Sequence, residues 1–188
     1  MICEDTYIET IIVPCNYRVT MPLGVKCSRN SVLYARIYEG SRLYNIIEDV
    51  SQAGIYTVSR ATLFYESLGR LLDEKLVKDY SEECFVIKGA EHYRIKVKIT
   101  DITRKSNYKI IEMKPVNPEI AFNQIESAGY SRADGCLLEI LVRYTKMRAG
   151  VITAEDYCMY YNLCGESVKR STRNPEYLKV LEEIKCQS

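Results

Sequence analysis

Ser41-Arg42-Leu43-Tyr44-Asn45-Ile46-Ile47-Glu48-Asp49-Val50 carries Leu43, Ile46, Ile47 and Val50 at helical spacing. The pattern breaks at Gly54. It restarts as Val58-Ser59-Arg60-Ala61-Thr62-Leu63-Phe64-Tyr65-Glu66-Ser67-Leu68-Gly69-Arg70-Leu71-Leu72-Asp73-Glu74-Lys75-Leu76-Val77, with Ala61, Phe64, Leu68, Leu71 and Leu72 on one face. Ser59 or Thr57 can cap this second helix. Phe85-Val86-Ile87, then Lys88-Gly89-Ala90-Glu91-His92, then Tyr93-Arg94-Ile95-Lys96-Val97-Lys98-Ile99 read as a basic hairpin with glycine at its tip. Two amphipathic helices followed by a basic hairpin decide the reading of the rest.

Working outward, residues 1–30 offer β-favouring Ile8, Ile11, Ile12 and Val13 between prolines, and read as an arm or short strands. Residues 31–39 read as a first helix, with Ser31 as N-cap and Gly40 as stop. Tyr108–Met113 reads as a strand. Pro115-Val116-Asn117-Pro118 is the best boundary, and after it the pattern is helical. Helices are expected over 119–128, 132–148, 153–162 and from Pro175 to Ile184, where Asn174-Pro175-Glu176 supplies a cap and an N1 proline. The expected fold class is α+β: an N-terminal winged helix-turn-helix domain (31–114) with a basic β-hairpin wing, a linker (115–118), and a C-terminal all-helical domain (119–188) that can hold a second helix-turn-helix (153–174).

The formal net charge is +1, which argues against histone-like coating of nucleic acid. Between Lys88 and Lys114, eight basic residues face only Glu91, Asp101 and Glu112. That local surplus suits phosphates. Eight cysteines occur without any CxxC pair and with one histidine, so no metal site is expected. Buried free thiols are favoured, and a disulfide stays open because thermolabile residues are thinned as in hot habitats. No apolar run is long enough to span a bilayer, and the start lacks a signal pattern. The expected location is cytoplasmic.

Residues 41–98 resemble the winged helix-turn-helix class, and most the PadR-type transcriptional regulators. Tyr44, Tyr56 to Tyr65, Leu68-Gly69-Arg70-Leu71, Leu76-Val77 and the strand Glu91 to Ile95 carry the resemblance. Lys75 departs from it, standing where a glycine is usual. What it implies is sequence-specific binding of double-stranded DNA, as a transcription regulator; a homodimer is expected because sequence-reading helices usually act in pairs. A recognition helix presents short polar and basic side chains on its first turns. Thr57, Ser59, Arg60 and Thr62 fit that role, and Lys88, His92 and Arg94 fit a wing on the phosphate backbone. In the second helix-turn-helix, Cys158 packs at the crossing, Asn162 makes the turn, and Ser167, Lys169, Arg170, Thr172 and Arg173 form the reading edge.

Enzyme constellations are poor. His92 has no evident partner, no phosphate-binding glycine loop occurs, and the sixteen tyrosines are spread as packing residues. No catalytic residue and no cofactor are assigned. Two alternatives stand beside the regulator: a replication-initiation or partition protein of a plasmid or virus, and an interaction module on a winged-helix scaffold.

Overall fold

The structure, a computed structural model, describes residues 6–28, 32–57, 61–88, 94–118, 121 and 130–186. It divides into two compact units. The first holds residues 8–130, and the second holds residues 131–188 with Thr6 and Tyr7. Each has its own apolar core.

The first unit is a closed antiparallel β-barrel. Its strands are β1 (Ile8–Pro14), β2 (Met21–Cys27), β3 (Leu33–Tyr38), β4 (Gln52–Thr57), β7 (Arg94–Arg104) and β8 (Tyr108–Pro115). Around the barrel they run β2-β3-β8-β7-β4-β1, and β1 returns to pair with β2. Side chains alternate inward and outward, as strand geometry requires. In β1, Ile8 and Ile12 join the barrel core, whereas Ile11 and Val13 point to the outer side. There they meet α2 (Ala61–Leu68) and a separate two-stranded sheet, β5 (Leu76–Asp79) with β6 (Cys84–Ile87). A strand covered on both faces reads as a continuous apolar run, which is what Ile11-Ile12-Val13 is.

This architecture overturns the winged-helix reading. Residues 33–38 are strand β3, not a first helix. Leu33, Ala35 and Ile37 are buried while Arg36 and Tyr38 are exposed, a period of two. The helix from Ser41 is α1 (Arg42–Ile46) plus one 3-10 turn (Ile47–Asp49), with the Ser41 hydroxyl accepting from the Tyr44 amide. Among the described residues no hairpin wing forms, because β6 pairs with β5 while β7 pairs with β4 and β8, and the expected tip at 89–92 lies outside them. Thr57 ends β4, buried, instead of capping a recognition helix.

The second unit packs α3 (Arg132–Arg148), α4 (Ala154–Ser171) and α5 (Pro175–Glu183) around Ile140, Tyr157, Tyr161, Val168 and Leu181. Thr153 and Asp156 form a reciprocal capping box at the start of α4. The expected second helix-turn-helix is absent, since α4 runs unbroken through Asn162. Nothing there breaks a helix: Asn162 is solvent-exposed, and Leu163, expected at a buried turn position, is 71% exposed. Tyr157 donates to the Ile184 carbonyl and Tyr161 donates to that of Leu181 at 2.9 Å, holding α5 on α4. Burial pushes the Tyr157 phenol up to about 12. The expected helix over 119–128 lies almost wholly outside the described residues.

Disulfides take the place of the expected free thiols at five of the described cysteines: Cys15, Cys27, Cys84, Cys158 and Cys186. Cys15–Cys84 fastens the end of β1 to β6, and Cys158–Cys186 fastens α4 to the segment after α5. Cys136 and Cys164 are free. Among the described residues, no helix is long and apolar enough to cross a membrane, and no group of candidate metal ligands converges.

Charge is handled locally on the barrel. Lys109, nearly buried on β8, reaches Glu48 at 2.8 Å and donates to the Tyr44 carbonyl at 2.7 Å. Glu48 also accepts from Arg104 at 2.9 Å. The Lys109 hydrogen bond, and after it that of Arg104, hold the Glu48 carboxyl below its ordinary 4.5. A lowered folded value stabilises the fold above the unfolded value, and the contribution is lost as pH falls through the folded one. Glu48→Gln should therefore flatten the acid limb of a melting-temperature curve taken from neutral pH downward, and an unchanged limb would contradict the assignment. Cys15–Cys84 closes a sequence separation of 69 residues. The double variant Cys15→Ser, Cys84→Ser should lose about 2–5 kcal/mol in urea unfolding; an unmoved midpoint would mean the bond does not constrain the barrel.

Candidate functional site

The outer face of β4 and β7 builds the site. In this antiparallel pair Tyr56 lies opposite Arg94, and Gly54 lies opposite Lys96. Ile55 and Ile95, one residue along, point into the barrel core, so Tyr56, Gly54, Arg94 and Lys96 share the outer side. Gly54 matters through what it lacks. A Cβ there would stand 3.1 Å from Arg94 Nε and 3.1 Å from Tyr56 Cε2. The missing side chain gives the Arg94 guanidinium its space against the barrel wall.

Arg94 is 19% exposed, and one of its nitrogens, Nη1, lies 2.6 Å from Glu82 Oε2. Among the described residues its Nε and Nη2 are buried without a hydrogen-bond partner, and so is Glu82 Oε2. Lys96 lies 3.8 Å from the same Glu82 oxygen, and its ammonium donates to the Glu82 carbonyl at 3.4 Å. These side chains line a cavity of about 350 Å³ with Ile95, Val116, Asn117 and Ala121. The volume is at the lower end for small-molecule sites. Two strongly cationic side chains meet one carboxylate there, and two guanidinium donors have no acceptor. Buried donors left unmet cost free energy, so such a group marks a place where a ligand acceptor belongs.

Tyr56 braces the site from below. Its hydroxyl accepts the Ile87 amide at 3.3 Å, and burial raises the phenol above its usual value, so it stays neutral. The β5–β6 turn supplies Glu82. Asp79 accepts from the Ser81 amide at 3.0 Å and from the Ser81 hydroxyl at 2.6 Å, which lowers its carboxyl below the usual range. Lys78 donates to the Glu83 carbonyl at 2.8 Å across the same turn.

Residues 8–121 match the family model described as the N-terminal domain of a protein of unknown function, DUF447. The chain belongs to that family. No curated protein matches the sequence. Among solved structures, an FMN-bound protein of Methanosarcina mazei, described with the family model DUF447, is 14% identical, with 98% of this chain and 97% of that chain covered at a TM-score of 0.54. The NADH:FAD oxidoreductase SgcE6 of Streptomyces globisporus is 8% identical over 61% of this chain and 71% of that one, at a TM-score of 0.46. The flavin reductase HpaC, complexed with NADP+, is 15% identical over 62% and 80%, at 0.47. The first of these likenesses shows the fold. Family and barrel together overturn the PadR resemblance, and with it double-stranded DNA binding and the transcription-regulator reading.

The DNA-contact residues disperse accordingly. Ser59, Arg60 and His92 lie outside the described residues, and Thr62 falls in the first turns of α2. Thr57 is 2% exposed, and Lys88 is exposed just after β6. Arg94 is the one expected contact that the cavity uses, as a buried ion-pair partner instead of a wing-tip cation. In the second unit Thr172 is buried, with its hydroxyl 2.6 Å from that of Thr6. Ser167 is half-buried, Arg170 and Arg173 are exposed, and Lys169 pairs with Glu166 on the next turn at 3.5 Å. The sequence gives no site role to Glu82, and it shows Lys96 only within a basic surplus, Gly54 only as a break and Asn117 only as part of a boundary. An alternating strand with two cations on one face, facing a glycine in another strand, is the signal that could have found them.

Gly54→Ala tests the packing of the site. The new methyl meets Tyr56, which cannot retreat from its buried position, and pushes on Arg94. Overpacking of this kind costs about 1–3 kcal/mol. Urea unfolding should show the loss, and a neutral or stabilising change would mean that Arg94 does not need the glycine.

Proposed function

We propose that the barrel unit binds FMN, with Arg94, Lys96 and Asn117 holding its phosphate. The observation that carries this is a pair of buried donors without acceptors on Arg94, a side chain that lines the cavity together with a second cation. A guanidinium presents its N–H groups as a planar fork that matches phosphate oxygens two at a time. Lys96 adds a point charge, and Asn117 adds an amide that can donate. The fold agrees, since a structure of the same barrel, matched along nearly all of both chains, holds FMN.

When bound, flavin supplies reversible redox chemistry from its own ring, so the scarcity of catalytic side chains in the sequence has no bearing on it. What this chain contributes is binding and orientation. The disulfide at Cys84 and the Asp79–Ser81 contacts fix the wall on the Glu82 side. Tyr56 keeps β6 in place through the Ile87 amide.

Titration of FMN followed by quenching of its fluorescence gives the test. Wild type should saturate, and riboflavin, which lacks the phosphate, should bind much more weakly. Arg94→Ala should cost FMN binding about 1.5–3 kcal/mol, the range for a hydrogen bond to a charged group. Wild type that leaves FMN fluorescence unchanged, or an Arg94→Ala protein as tight as wild type, would overturn the reading.

A further inference from the structure

Glu82 sits where the phosphate is placed above, and its geometry there is incomplete. Its Oε2 lies 2.6 Å from one Arg94 nitrogen, and Arg94 Nε and Nη2 find no acceptor. Lys96 stands 3.8 Å off, beyond a hydrogen bond. A carboxylate in this pose neutralises charge without filling the fork. The turn that carries it is fixed: Asp79 is bonded to Ser81, Lys78 to the Glu83 carbonyl, and the adjoining Cys84 to Cys15. Glu83 holds φ 55°, a left-handed conformation uncommon outside glycine. The Glu82 side chain as a whole is 40% exposed, while Oε2 is buried and makes no hydrogen bond among the described residues. It can turn to water while its backbone stays.

We infer that Glu82 is a built-in competitor for this anion site, occupying the Arg94–Lys96 pair until a phosphate monoester displaces it. This rests on the reading that the cavity takes a flavin phosphate, and it adds what sets the site's selectivity. A phosphate monoester carries about −1.5 to −2 charge at neutral pH and three acceptor oxygens. It can meet Nε and Nη2 together and draw in Lys96. A simple carboxylate offers no more than Glu82 already supplies from a tethered position, so it cannot compete. Glu82 thus makes the site selective for doubly charged phosphate over singly charged anions. The cost is affinity, because the ligand binds only the fraction of molecules whose carboxylate has turned away.

Wild type and Glu82→Gln are compared as full chains, using FMN and riboflavin by fluorescence and inorganic phosphate and acetate by thermal shift. With the competing charge gone, Glu82→Gln should bind FMN about ten- to a hundredfold more tightly, as expected where the competent state is a minor one. Riboflavin affinity should stay as it is. Inorganic phosphate should raise the variant's melting temperature more than that of wild type, and acetate should begin to protect the variant. Glu82→Ala, which cannot refill the place of the carboxylate, should follow the same direction and covers any local effect of the glutamine amide. Unchanged or weakened binding of both FMN and inorganic phosphate in the two variants overturns the inference, whatever wild type does with FMN. If wild type fails to bind FMN while both variants gain phosphate protection, the flavin reading falls and the competitor stands.

Discussion

Closure of the barrel through β1 is the constraint on which the rest depends. One strand pairs with β2 along one edge and with β4 along the other, from Ile8 opposite Val25 to Pro14 opposite Ala53. That leaves no open sheet edge at this position. It also fixes register, because a slip by one residue would turn Ile12 outward and Ile11 into the barrel. With β1 and β4 locked, β7 follows in register, and Arg94 and Lys96 emerge on the outer face opposite Tyr56 and Gly54. The cavity is thus a consequence of strand parity. Its cations lie on alternate residues because their neighbours, Ile95 and Val97, are needed for the core.

The barrel then treats its two cation groups differently. Lys109 and Arg104 converge on Glu48, and Lys109 has the Tyr44 carbonyl and ring besides. That group is satisfied and reads as structural. Arg94 and Lys96 share one carboxylate between them and leave two guanidinium donors unmet. The contrast, within one sheet, is what marks the second group as a binding site instead of another structural ion pair.

Some of this was legible in the sequence. Caps decided by local chemistry read correctly: Thr153 and Asn174 each cap the helix they precede. Tyr108–Met113 reads as a strand for the same reason, a short apolar run ended by proline. Barrel closure did not show, because it is made by pairings such as Ile12 with Ile55, far apart in the chain. Residues 33–38 misled because Ser31 and Gly40 look like a helix cap and stop, whereas the strand-favouring Val32, Tyr34 and Ile37 belong to a segment that pairs with β8 from Tyr108 to Met113. The basic surplus from Lys88 to Lys114 looked like a nucleic-acid surface because its counter-charges, Glu48 and Glu82, lie outside that window. Arg94 was singled out for phosphate, with the wrong polymer attached. Lys96 and Gly54 were invisible as a pair until β4 and β7 were known to be neighbours.

A flavin phosphate held against Arg94 is read directly by phosphorus-31 NMR of FMN. Adding wild-type protein should move or broaden the phosphate resonance, and Arg94→Ala should leave it at its free position. FMN that is bound by fluorescence while its phosphorus resonance stays at the free position would contradict the account, since the phosphate would then lie away from the guanidinium.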